Sequence, residues 1–199
     1  MKNFVFISQN FTTNYWQFCR ELKKNGMNVL GIGDQPYNEL SEDLKESLNE
    51  YYKVSNLENY DEVYRGVAFL IFKHGQIDWL ESNNEYWLER DAKLRTAFHI
   101  TSGFQEEDLP RIKYKSKMKE YYQRVGIPTA RYHLVDDLEG CQAFIEKAKK
   151  EIPDIILENC ASGGHRLEPS LMAQMNMASF SDAHECQEIP IIAANLHRA

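Results

Sequence analysis

The chain has 199 residues, enough for one ordinary domain or two small ones. Hydrophobic residues make up 43% and aromatics 12%, which excludes disorder along the whole length. With 30 Asp and Glu against 23 Lys and Arg, the acidic balance argues against a nucleic-acid footprint, which needs a dense basic face.

Phe4-Val5-Phe6-Ile7 reads as a short buried strand. A helix follows, with Tyr15, Phe18, Cys19 and Leu22 on one face, Thr13 or Asn14 as its cap and Gly26 as its stop. Asn28 to Gly33 is a second strand. Strand, helix and strand within about 33 residues is the grammar of a parallel crossover unit. Ser41 to Tyr52 and Asp61 to Val67 are expected to be helices, and Phe69-Leu70-Ile71-Phe72 a third strand. Trp79 to Phe98 has helical spacing. Lys113 to Val125 predicts a helix with Met118, Tyr121, Tyr122 and Val125 along one side, closed by Gly126 and followed by Pro128. Tyr132 to Val135 is strand-like, and Leu138 to Lys150 is helical.

The texture changes after Pro153. Asp154-Ile155-Ile156-Leu157 reads as a buried strand ending in a polar, glycine-rich loop. Leu171 to Met177 predicts a short helix, and Ala178 to Phe180 a strand ending in charged residues. Strands with chemically loaded C-terminal ends are barrel grammar.

No run reaches the roughly 20 apolar residues of a membrane helix. Met1 to Ile7 is too short for a signal peptide. Cys19, Cys141, Cys160 and Cys186 have no framework spacing, so reduced thiols in a cytoplasmic protein are expected. Gly31-Ile32-Gly33 lacks the third glycine of a dinucleotide fingerprint and reads as a turn. His165, His184, Cys186 and His197 fit no usual zinc spacing, so no metal site is expected. Lys113, Lys115, Lys117 and Lys119 form the one basic cluster, either a solvated helix face or an anion site.

Lys115-Ser116-Lys117-Met118-Lys119, followed by Val125-Gly126-Ile127-Pro128-Thr129, resembles the entry to the ATP-binding part of the ATP-grasp superfamily. The crossover unit and Glu81-Ser82-Asn83-Asn84-Glu85-Tyr86 fit that family's leading subdomain. The resemblance covers about residues 1–148. It implies a nucleotide-binding front of an ATP-dependent carboxylate–amine ligase, with ATP and magnesium as cofactors and Lys115 reaching ATP phosphate. Tyr114 stands where the family usually has an acidic residue. The family's second phosphate lysine, glycine-rich flap and late acidic magnesium ligands have no counterpart here, so ATP turnover is expected to be absent.

Glu158-Asn159-Cys160-Ala161-Ser162-Gly163-Gly164-His165-Arg166, followed by Ser181-Asp182, resembles the α-galactosidase (melibiase) family of barrel glycosidases over about residues 150–198. That resemblance makes Asp182 the general acid/base and sets Cys160 and Gly163 against a galactoside. Retaining hydrolysis needs a second carboxylate about 5 Å away. In the family the nucleophile follows a tryptophan, whereas Trp16, Trp79 and Trp87 precede Gln, Leu and Leu.

The expected fold class is α/β. An N-terminal open parallel sheet with crossover helices, pre-ATP-grasp-like, spans 1–148, and a short incomplete (β/α) barrel fragment spans 149–199. Three functions stay open: a ligase-type nucleotide-binding front, a glycosidase fragment lacking its nucleophile, and a non-enzymatic fusion product. Unpaired strands in the tail predict self-association. No nucleic-acid or membrane partner is expected.

Overall fold

The computed structural model describes residues 1–10, 12–160 and 172–179, and the chain divides into two compact units, Met1–Thr129 and Ala130–Ala199. In the first unit, β1 (Asn3–Ile7), β2 (Asn28–Gly33), β3 (Glu50–Lys53) and β4 (Trp79–Glu81) form a sheet in the order β3-β2-β1-β4. All its pairings are parallel, so each strand must be reached by a crossover. Helices α1 (Tyr15–Lys24), α2 (Glu42–Ser47) and α3 (Tyr60–His74) supply the crossovers. Helices α4 (Leu88–Ala97), α5 (Leu109–Ile112) and α6 (Lys115–Arg124) follow.

The apolar run of β1 is continuous because both sheet faces are covered. Phe4 and Phe6 pack on one side with Cys19, Val29, Leu44 and Leu48, beneath α1 and α2. Val5 and Ile7 pack on the other with Leu30, Ile32, Val63, Val67, Leu70 and Leu94, beneath α3 and α4. Alternation along the strand sorts neighbouring side chains into two separate cores.

Helix ends follow the expected chemistry in part. Gly26 and Gly126 take φ of +79° and +76°, which a side chain would oppose. Their turns return the N–H of Met27 to the Leu22 carbonyl (3.1 Å) and that of Ile127 to the Tyr122 carbonyl (2.9 Å). Asn14 holds the N-cap position of α1 without a side-chain cap, its Oδ1 accepting from Thr12 Oγ1 instead (2.7 Å).

Several expectations need correction. Phe69 to Phe72 is not a strand but the end of α3. Val63, Val67 and Leu70 are buried at helical spacing, while Phe72 is 88% exposed. The helix expected over Ser41–Tyr52 stops at Ser47, and Glu50–Lys53 is the edge strand β3. The helix expected from Trp79 begins only at Leu88, because Trp79–Glu81 pairs with β1. The apolar side foreseen on α6 has no buried residue, and Val125 is 70% exposed.

The Gly31–Gly33 pair, read as a turn, lies inside β2. A Cβ on Gly33 would stand 2.7 Å from Tyr51 Oη, and one on Gly31 3.0 Å from Leu48 Cδ1 and 3.1 Å from the Gln9 carboxamide. The two bare positions let the Tyr51 ring and the Gln9 side chain lie across β2. Tyr51 Oη then donates to the Gln35 carbonyl (2.6 Å). With its carboxamide oriented so that both bonds form, Gln9 Nε2 donates to the Phe6 and Ile32 carbonyls.

In the second unit, α7 (Leu138–Glu151) starts at Asp137, whose carboxylate accepts from the Gly140 N–H (2.7 Å). Tyr132 to Val135, expected to be strand-like, forms no strand. The strand expected at Asp154–Leu157 lies later, as β5 (Glu158–Cys160), with Ile156 exposed before it. After Met172 the chain turns into β6 (Met177–Ser179), which pairs with β5 in parallel. Two strands do not make a barrel wall, and the barrel reading stays an inference from sequence.

Candidate functional site

In an open parallel sheet, ligands bind outside the carboxyl ends of the strands, where strand order reverses. Here β1 leads to β2 on one side and pairs with β4 on the other, so the reversal lies between β1 and β4. Both strands leave the sheet there through a residue in left-handed backbone: Ser8 (φ 61°) after β1 and Asn83 (φ 54°) after β4. Such backbone is uncommon outside glycine and needs support from its surroundings. The Ser8 N–H bonds to the Ile32 carbonyl (2.9 Å), and Tyr15 Oη donates to the Asn83 carbonyl (2.7 Å).

A cleft of about 480 Å³ opens at this reversal. Ser8 and Asn10 reach it from the end of β1, Asp34 from the end of β2, and Asn84, Tyr86 and Trp87 from the turn after β4. Leu57 and Glu58 complete it from the loop after β3. The turn is built locally: Asn84 Oδ1 accepts from the Tyr86 N–H (2.9 Å), which starts a 3-10 helix at Glu85–Trp87. That turn sends Tyr86 across the mouth, where Oη donates to Glu58 Oε1 (2.7 Å). The bond to Glu58 raises the Tyr86 phenol above its usual range. Asn10 Nδ2 donates to Gln35 Oε1 (3.1 Å), whereas Asn10 Oδ1 is buried without a hydrogen-bond partner.

Beneath the cleft lies a buried charged cluster. Ser82, directly after β4, donates its hydroxyl to Asp91 Oδ2, and Arg90 Nη2 stands 3.6 Å from Asp91 Oδ1. The Arg90 guanidinium stacks 3.7 Å from the Trp87 ring centroid and donates to the Leu57 carbonyl (2.8 Å). Burial pushes the Asp91 carboxyl up to about 6, against the Ser82 bond and the Arg90 charge.

Lys115 is the first residue of α6 and is exposed. Its neighbours are committed elsewhere: Lys113 pairs with Glu89 (3.0 Å) and Lys117 with Glu120 (2.9 Å). The Lys115 side chain makes no ion pair or hydrogen bond with any described residue. Tyr114, at the N-cap, gives α6 no side-chain cap and donates its hydroxyl to Glu89 instead (2.9 Å). Those contacts, Lys113 first, hold the Glu89 carboxyl below its usual range.

Cys160 ends β5, exposed, in register with Ser179. Gly163 and Asp182 lie outside the described residues, as do His165, His184, Cys186 and His197. Lys115 and Cys160 belong to different units. The cleft residues Asn10, Asp34 and Glu58 were not singled out from the sequence, whereas Asn84 and Tyr86 fall in the Glu81–Tyr86 stretch that was. The polar residues immediately after each short apolar strand were the signal for three of the four loops.

No protein-family model and no curated protein matches the chain. Among solved structures it is similar to the L-amino acid ligase from Bacillus licheniformis, with a TM-score of 0.51 and 14% identity over 75% of this chain. Biotin carboxylase structures lie nearby: the subunit of pyruvate carboxylase has a TM-score of 0.48 and 18% identity over 83% of this chain. The chain covers 42% of the ligase and 37% of that carboxylase subunit. Nothing among these matches supports the α-galactosidase resemblance. The likeness to the ligase is one of fold, an α/β body with a parallel sheet that matches part of that longer chain.

Proposed function

We propose that about residues 1–148 act as the nucleotide-side front of an ATP-dependent carboxylate–amine ligase of ATP-grasp type, with Lys115 reaching the nucleotide phosphate. The observation that carries this reading is the position of Lys115. It is the uncommitted cation at the start of a ten-residue helix whose first amide groups receive no side-chain cap. An ammonium beside a helix start that has no side-chain cap suits an anionic oxygen. The likeness to the L-amino acid ligase supports the fold on which this arrangement stands.

Magnesium fits less well. Among the described residues no three His, Cys, Asp or Glu side chains gather as a metal site, so magnesium would be held chiefly by nucleotide phosphates. Nucleotide binding without turnover is the activity proposed for this chain. The join with an α-galactosidase-like tail near residues 143–152 is likewise a proposal.

Thermal unfolding of the full chain with Mg-ATP tests the assignment. A ligand at about a hundred times its Kd stabilises by about 2.7 kcal/mol, a shift of several degrees. The shift is expected in the wild type and strongly reduced in Lys115→Ala. An equal shift in both proteins, or none in either, would remove Lys115 from the role.

A further inference from the structure

We infer that His74 is a pH-operated latch: its neutral ring ties the start of β2 to the end of α3, and its protonated ring lets β2 go. The parts meet at the amino ends of the strands, where Asn3 pairs with Asn28 in register and Glu50 opens β3. None of them belongs to the nucleotide assignment, so either reading can fail while the other holds.

Donor and acceptor roles run in one direction through this cluster. Asn3 is buried, and its Nδ2 donates to two carbonyls, those of His74 (2.9 Å) and Gln76 (2.8 Å). Turned over, the carboxamide would set its oxygen against both, so Asn3 Oδ1 is fixed as an acceptor. That oxygen takes a hydrogen from Asn28 Nδ2 (2.8 Å), which fixes Asn28 in turn. The same Nδ2 lies 3.3 Å from His74 Nδ1. An amide nitrogen has only hydrogens to give, so Nδ1 accepts and the neutral ring carries its proton on Nε2. Nε2 then donates to Glu50 Oε2 (2.5 Å), while Lys73 donates to Glu50 Oε1 (2.7 Å).

A second proton disturbs one side of the ring only. It arrives at Nδ1 and points at the Asn28 amide hydrogens, where no acceptor stands. Flipping Asn28 to meet it would set the Asn28 and Asn3 carboxamide oxygens face to face. At Nε2 the new charge is favoured, because Glu50 stays ionised. Against the penalty of its burial, Lys73 and His74 hold that carboxyl below its usual range. Among the described residues no other charged side chain bonds the ring. Asp78 accepts from the Asn3 N–H (2.7 Å), and β1 and β2 present the two carboxamides. The protonated ring therefore keeps β3 and gives up β2.

Nitrogen–proton NMR of the full chain, which tells a bare ring nitrogen from a protonated one, tests this between about pH 8 and about pH 5, where histidine changes charge. At the upper end Nδ1 is expected to be bare and Nε2 protonated. As the ring gains its second proton, the Asn28 Nδ2 hydrogen facing it should lose exchange protection severalfold relative to its sister, which stays on Asn3. In His74→Gln that ratio should show no transition over this range, which separates the ring from Glu50 and Asp78. A bare Nε2 at about pH 8, a ring that keeps one charge state throughout, a protection ratio that stays flat through the ring titration, or the same transition in His74→Gln would each overturn the proposal.

Discussion

Replacing Arg95 by methionine is expected to lower the unfolding free energy of the first unit by about 3–5 kcal/mol. The side chain is 1% exposed and its guanidinium ties three pieces of chain together. Nη1 donates to the Leu80 carbonyl (2.7 Å) and approaches Glu81 Oε2 (3.2 Å), while Nε donates to the Phe104 carbonyl (2.8 Å). Gly103 lies against it so closely that a Cβ there would meet the guanidinium at 3.3 Å. Methionine fills much of the same volume, so the loss would come from two stranded carbonyls and an uncompensated Glu81 rather than from a hole. Lysine should rescue poorly, because a single ammonium cannot reproduce the planar fork that reaches both carbonyls. Urea denaturation measures the effect, and a loss below about 1 kcal/mol would show that the contacts are dispensable.

Asp91 should leave a mark on the pH dependence of stability. Its folded pKa of about 6 lies above the ordinary 3.8, so the native state holds this proton more tightly than the unfolded chain does. The associated stability is present in full below about pH 4 and is lost as pH rises through about 6, some 3 kcal/mol in all. Glu62 and Glu89 act in the opposite sense, since their carboxyls are held low by Ser55 and by Lys113 respectively. Their contribution falls away on acidification, so the total curve is a sum of opposing slopes. Asp91→Asn isolates the buried group. The difference between wild-type and variant free energies should decline by about 3 kcal/mol from pH 4 to pH 7. A flat difference curve would mean that Asp91 titrates as an ordinary exposed acid.

Much of the front was readable in the residues. The β1 run, the α1 face and the Gly26 and Gly126 stops each carry a local signal that tertiary packing then reinforces. Where the reading failed, two physical signals were in conflict. Phe69 to Phe72 is as apolar as β1, yet only Leu70 is buried, and the helical spacing from Val63 was the stronger guide. Strand β3 was hidden because Tyr51 and Tyr52 continue the helical spacing of the leucines before them. Their edge-strand role depends on Gly31, Gly33 and Gly66, which leave room for the rings. The cleft was harder still. Glu58, Asp34 and Tyr86 are far apart in sequence, and only the strand order β3-β2-β1-β4 gathers them. Lys115 was found through a family motif, but its freedom from ion pairs is visible only once the partners of Lys113 and Lys117 are known.

Cys19 sits at 0% exposure between the sheet and α1, and burial pushes its thiol up to about 12. At neutral pH the native unit therefore keeps this sulfur both shielded and protonated, while Cys160 is exposed to solvent. An alkylating reagent can reach Cys19 only during those moments when α1 lifts away. The chain thus carries its own stopwatch for local opening, read by mass spectrometry without any added label site.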